Sequence, residues 1–389
     1  MRVLFSTTAN EGHFGPLLPF VRACAASGHD VRVAAPVSFG PALARVGLRH
    51  EPFADARPEL IGPVMAQLPA MDVEDANDVV MREVFGRIDA QAALPALQTT
   101  VERWRPQVIV RESAEFASLA AAERAGVPHV HVCPGMHEVA ARFAAAVEDP
   151  LEELGRIAGV GSGRLNAALA AEPIFGLVPE VLDYASGSRP PAVDAIQRFH
   201  QPDDVTAGQR QREWGDPDLP LVYVTFGSVA GSIPTFAGVF RQALDALAGL
   251  DATVVMTLGR NLDPHDVGPV PANTHVAQWL PQAEVLAHAA VMVGHGGFGT
   301  MVGALAAGVP QVVVPLFTFD QLVNGDRVAA VGAGVTMGVW QGTVGRIADE
   351  ITRLLGDPSF AESARRIAVA LNELPPPSKA VPVLAGLVA

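Results

Sequence analysis

The stretch from Trp279 to Gln321, WLPQAEVLAHAAVMVGHGGFGTMVGALAAGVPQVVVPLFTFDQ, constrains the fold of this chain more than any other. From Val285 to Phe319 it holds no Asp, Glu, Lys or Arg, which by length alone suggests a membrane helix. Gly294, Gly296, Gly297, Gly299 and Pro310 interrupt any such helix, so the run reads as two buried strands around a short helix. Val291 to Gly294 is predicted as strand, His295-Gly296-Gly297 as turn, and Phe298 to Ala307 as helix closed by Gly308 before Pro310. A glycine turn leading from the carboxyl end of a buried strand into a helix aims free N–H groups and a positive dipole end at one spot. That spot suits an anion, a phosphate above all.

Around it the same stretch sets further binding devices. Trp279, with Leu280 beside it, offers a flat apolar face for a base. His295, Gly297 and Thr300 can donate to phosphate, and Asp320-Gln321 supplies an acid and an amide for sugar hydroxyls. Singly, each feature is more often structural: a Trp in a core, a His in a satisfied network, a Gly-Gly in a turn. Their joint order describes a nucleotide-sugar site.

The remainder of the chain supplies a frame for that site. At 389 residues, with 49% hydrophobic and 17% charged side chains, two buried domains are expected. A net charge of −14 argues against nucleic acid or an anionic membrane surface as partner. Cys24 and Cys133 sit in apolar settings and are expected as buried thiols of a reducing, cytoplasmic protein; no zinc pattern occurs. The first apolar run is too short for a signal peptide.

Strands are expected at Val3 to Thr7, Val31 to Ala34, Val108 to Arg111 and His129 to Cys133, with helices between, from Pro16 to Ser27 and from Ser113 to Ala125. Asp55 to Trp104 is helical and polar enough to cap a cleft, and Gly135 to about Gly187 is a second helical excursion that could line an acceptor pocket. Ser186 to Asp218 reads as the linker region. Strand and helix then alternate again through Leu221 to Phe226, Thr253 to Leu258 and His275 to Ala277. The fold class is therefore α/β with two doubly wound parallel sheets, ligands sitting beyond the strands' carboxyl ends.

The run W-x-P-Q, H-G-G-F-G-T, A-x-x-G-V-P and D-Q resembles the donor signature of family-1 nucleotide-sugar glycosyltransferases, inverting enzymes of the GT-B fold, most closely their bacterial natural-product branch. The resemblance implies two facing Rossmann-like domains: residues 1–200 for the acceptor, a linker at 201–218, residues 219–365 for the nucleotide sugar, and 366–389 returning to the first domain. It implies His13 as the base that deprotonates the acceptor and Glu112 as the acid that orients it, with Glu115 as rival. It also implies Gly227 and Ser228 on the far side of the diphosphate.

Plant members carry a glutamate for the ribose hydroxyls where this chain has Gly303. Its loss suits a nucleotide without a 2′-hydroxyl, so a dTDP-deoxysugar is the expected co-substrate, with no metal and no resident cofactor. Asp216-Pro217-Asp218 reads as a solvated turn. The expected acceptor is an aromatic polyketide or macrolide-type aglycone, bound by Phe85, Phe116 and His137, with Glu138 beside the last. The Ala-rich composition with Lys379 as its sole lysine fits a natural-product pathway of a high-GC bacterium. A homodimer is compatible with this reading, as are two rivals: a same-fold nucleotide-sugar epimerase and a non-catalytic helper of a partner transferase.

Overall fold

The computed structural model describes residues 1–185, 196–201, 213–233, 236–339 and 343–388. Most of the expected linker at 201–218 lies outside the described residues. The chain forms two units: Met1–Leu177, Pro190–Gln201 and Pro375–Ala389 in one, Val178–Arg189 and Pro202–Leu374 in the other. In the first, β1 (Arg2–Ser6), β2 (Asp30–Pro36), β3 (His50–Phe53), β4 (Val108–Glu112), β5 (His129–Cys133), β6 (Ile174–Gly176) and β7 (Ile196–Arg198) make one sheet. Its order is β3-β2-β1-β4-β5-β6-β7, with every pair parallel. In the second, β8 (Leu221–Thr225), β9 (Thr253–Thr257), β10 (Thr274–Ala277), β11 (Ala289–Gly294), β12 (Gln311–Val313) and β13 (Gly334–Thr336) pair in parallel as β10-β9-β8-β11-β12-β13.

Alternate residues along each central strand enter different cores, because helices cover both faces of a parallel sheet. Val3 and Phe5 of β1 pack with Phe20 and Leu43, whereas Leu4 packs with Leu97 and Leu119 on the opposite face. Val222 and Val224 of β8 likewise join Phe240 and Leu244, while Tyr223 turns to Val285 and Met292. Both strand orders reverse direction once, between β1 and β4 and between β8 and β11. Open α/β sheets bind ligands at such reversals.

Several elements depart from expectation. The first helix spans Glu11–Ala26, so His13 sits in its first turn and not on a loop. Asn10 starts it by accepting from the Gly12 N–H at 2.8 Å, a capping signal that outweighs Pro16, the residue that read as a helix start. Strand β6 in the second helical excursion escaped detection because three residues carry too little period. Between Asp55 and Trp104 the chain is helical, including a π-helix over Val80–Asp89 that runs into Ala90–Trp104. The helix Pro358–Asn372 belongs to the second unit, and the chain enters the first unit again only at Pro375. There the helix Ala380–Gly386 buries Ala380, Val381 and Leu384 in the core that holds Phe20. Cys24 and Cys133 are buried thiols that form no disulfide, and among the described residues no helix is long and apolar enough to cross a membrane.

Candidate active site

At the reversal of the first sheet, the end of β4 meets the helix that follows β1. Glu112 is fully buried, and its Oε2 lies 2.8 Å from His13 Nδ1. Burial alone would raise this carboxyl's pKa, but the His13 charge, its hydrogen bond and the N–H groups of Ala114 and Thr8 outweigh burial and hold it at about 2. An ionised Glu112 makes Nδ1 of His13 the protonated nitrogen, which leaves Nε2 as the proton acceptor. The rival Glu115 is spent elsewhere: its oxygens accept from the N–H groups of Ala117 and Ser118 at the start of a helix. The question of which acid touches His13 is thus decided for Glu112.

A buried network fixes the turn after β4. The Arg111 guanidinium, wholly enclosed, donates to the carbonyls of Glu112 and Glu115 at 3.0 and 3.2 Å and pairs with the Glu172 carboxylate. His131, also buried, shares a 2.7 Å hydrogen bond with Ser113 Oγ. Breaking a buried pair of this kind costs several kcal/mol, on the order of 3 to 5. Glu112 therefore has little freedom to leave His13.

A cavity of about 320 Å³ opens beside the pair. Phe53, Ile61, Phe85 and Phe116 give it an apolar wall, and the Phe85 ring lies 5.8 Å from the His13 ring, centroid to centroid. Two of the three residues expected at an acceptor, Phe85 and Phe116, line it. His137, at the first position of the helix His137–Ala146, does not, and neither does Glu138. The second helical excursion contributes no lining residue; the polar segment between Phe53 and Ala93 does. Its carboxylates Asp55 and Asp89 were missed, since an acid in an amphipathic helical stretch gives no signal that it faces inward.

In the second unit, β11 ends at Gly294 and the helix Phe298–Ala306 begins with Gly297 as its cap residue. No side chain caps it, which leaves the first-turn N–H groups available to a ligand. The His295 ring lies between two glycines of the sheet reversal. A Cβ on Gly227, after β8, would stand 2.7 Å from the ring's Cε1, and one on Gly297 would stand 2.4 Å from Nε2. Gly227 also has φ +80°, a conformation that favours glycine. Burial pushes the His295 pKa down to about 4, so the ring is neutral near pH 7 and donates from one nitrogen only.

Thr300 is half-buried in the first turn of the helix, and Ser228 is exposed beside Gly227. Trp279 is 51% exposed, with the Arg260 guanidinium 4.7 Å over its ring, so one face is covered and the other presented. Leu280 instead packs with Tyr223 and Leu286 against the sheet. Gln321 is buried, and its Oε1 accepts from the N–H groups of Leu316 and Phe317 at 2.8 and 3.1 Å. Its acceptor oxygen thus shapes the loop and is not free for a sugar, while Asp320 beside it is half-buried. A Cβ at Gly303 would stand 2.4 Å from Nε2, the movable end of the Gln282 side chain. Asn324, another residue that sequence reasoning missed, donates to the Gly296 carbonyl at 2.8 Å and ties down the glycine turn. Asp216 Oδ1 accepts from the Asp218 N–H at 2.9 Å, the geometry of a local turn.

Comparison with known proteins places the geometry in context. Residues 22–159 match the N-terminal domain, and residues 241–387 the C-terminal domain, of the family described as erythromycin biosynthesis protein CIII-like. The chain is similar to an L-demethylnoviosyl transferase of Streptomyces niveus, at 30% identity over 95% of this chain and 93% of the relative. It is also similar to the TDP-daunosamine transferase DnrS of Streptomyces peucetius, at 26% identity over 100% and 97%. Among solved structures, the glycosyltransferase SnogD from Streptomyces nogalater aligns with a TM-score of 0.76 and 25% identity, covering 100% of this chain and 99% of that one.

Proposed function

This chain belongs to the family-1 GT-B glycosyltransferases of antibiotic and natural-product biosynthesis, and we propose that it moves a deoxysugar from a dTDP-sugar to a hydroxyl of an aromatic polyketide or macrolide-type aglycone. One observation carries the mechanistic reading: the 2.8 Å pair of His13 and Glu112 beside an apolar cavity. His13 Nε2 takes the proton of the acceptor hydroxyl while its oxygen attacks the anomeric carbon. The bond from that carbon to the diphosphate breaks, its electron pair leaves with dTDP, and the configuration inverts. Glu112 stays ionised throughout and stabilises the imidazolium that forms. The departing charge is met by the neutral His295 donor, Thr300 and the N–H groups at the start of the helix Phe298–Ala306.

Support for dTDP comes from position 303, where this chain has glycine and the resembled plant enzymes have the glutamate that binds the ribose diol. A relative named for a TDP-sugar agrees with it. Competition of dTDP against UDP, followed by calorimetry, tests this reading: dTDP is expected to bind at least about tenfold tighter, the equivalent of one lost hydrogen bond to a charged partner. Preference for UDP would sink the nucleotide assignment. Loss of all transfer from dTDP-sugars to a panel of hydroxylated polyketides would sink the acceptor assignment.

A further inference from the structure

The polar content of the first-unit cavity is of one sign. Among the described residues that line it are the carboxylates of Asp55, Asp89 and Glu115, and no Lys, Arg or His. Two of these acids have donors of their own. Glu115 accepts from the Ala117 and Ser118 N–H groups, and Asp55 from the N–H of Ser38 at 3.1 Å and from its hydroxyl. The Asp89 carboxylate has neither a hydrogen bond nor an ion pair among the described residues. It ends the π-helix Val80–Asp89, one turn on from Phe85, whose ring touches His13.

Burial, and then the like charges of Glu112, Glu115 and Asp55, push the Asp89 carboxyl up to about 6. An anion so placed costs free energy until a cation or donor reaches it. Thr8 adds an independent sign of a missing ligand. It lines the same cavity at 7% exposure, and its hydroxyl has no hydrogen-bond partner among the described residues. A carboxylate and a hydroxyl, both able to accept, suit a group that only donates. An alkylammonium is such a group: three N–H donors, one positive charge and no acceptor.

Resting on the transferase reading above, we propose that the acceptor is an amine-bearing aglycone whose ammonium is held by Asp89 and Thr8 while its apolar skeleton lies against Phe85 and Phe116. The anchor stands one helical turn from the ring beside His13, so it fixes which hydroxyl of the aglycone reaches Nε2. Aromatic faces next to the charge add a cation–π contribution. Neutral aglycones of the same shape would leave Asp89 unpaired.

The test uses the full-length protein with naphthylethylamine and naphthylethanol, a cation and a neutral molecule of closely matched shape, titrated near neutral pH in the presence of dTDP. The amine is expected to bind at least about tenfold tighter, a preference that shrinks with added salt. In Asp89→Asn the ratio of the two affinities is expected to collapse to about one, and in Asp89→Glu to keep its sign. Equal affinity in the native protein, or a preference that survives Asp89→Asn, overturns the proposal. Because the native protein alone decides the first outcome, a poorly folding variant does not remove the test. Release of dTDP from a dTDP-sugar, measured in the same samples with hydroxylated acceptors, keeps the two readings apart. Transfer without amine preference overturns only this inference; amine preference without transfer counts against the transferase reading.

Discussion

Two histidines stand at equivalent places, each beside the strand reversal of its own sheet, yet their surroundings are opposite. His13 is held by charge, against a buried ionised Glu112 that is itself fixed by Arg111 and Glu172. His295 is held by absence, between Gly227 and Gly297, with no charged neighbour shifting its titration. In the first, an ionised carboxylate holds one ring nitrogen and leaves the other to accept. The second keeps an imidazole neutral and donating from one nitrogen. The contrast teaches that one side chain in one fold is suited to acid–base work or to anion binding according to whether carboxylate or glycine is packed beside the ring.

The largest test of this contrast is to remove each ring in turn. His13→Ala is expected to lower transfer by about a thousandfold, within the usual range for a lost general base, and to leave dTDP affinity unchanged. Transfer kinetics and calorimetry on the same protein check both halves, and an unchanged kcat would sink the assignment of the base. Next in size is Glu112→Gln. A neutral amide leaves the ring without its stabilising charge, and kcat is expected to fall by about a hundredfold with little change in KM. If Glu112→Gln proved silent, charge would not be what distinguishes the first site.

For the second site the informative change adds atoms. Gly297→Ala would place a methyl group 2.4 Å from His295 Nε2, so the ring must move; dTDP binding is expected to weaken by about tenfold or more. Binding of the acceptor alone should not change. The smallest effect is on stability. His295 has a folded pKa of about 4, below its ordinary 6.5, so its contribution is complete above pH 6.5 and is lost as pH falls through 4. Thermal melts of His295→Asn should therefore fall less between those limits than melts of the native chain, by up to about 3 kcal/mol of unfolding free energy. Because buried His131 is also held near 4, part of the native decline should persist in the variant. Identical pH profiles would mean that burial does not govern His295.

The two sites also differed in how far they could be read in advance. Most of the second is written in one continuous stretch: Trp279, strand, glycine turn and helix follow one another, and local order was enough to find them. What could not be read there was how side chains divide their atoms, as when Gln321 spends its oxygen on the backbone of Leu316 and Phe317. The first site is assembled from His13, Phe85, Asp89 and Glu112, residues far apart in the chain that meet only through sheet order. Spacing carries no record of such a meeting. His13 and Glu112 could be named because each follows a buried strand at a position that matches the resembled family. Asp89 could not, since nothing in a polar helical segment tells an inward carboxylate from a solvated one. His137, which opens the second helical excursion, starts a helix whose residues do not line the cavity.

The crossing at Pro375 has a consequence for how the molecule is made. Residues Ala380, Val381 and Leu384 complete a core begun by Phe5 and Phe20, so the first unit lacks part of its core until the chain has passed through the second. That core keeps one wall open while the second unit, Val178–Arg189 and Pro202–Leu374, is made. The first unit therefore cannot close its core before the second has been synthesised.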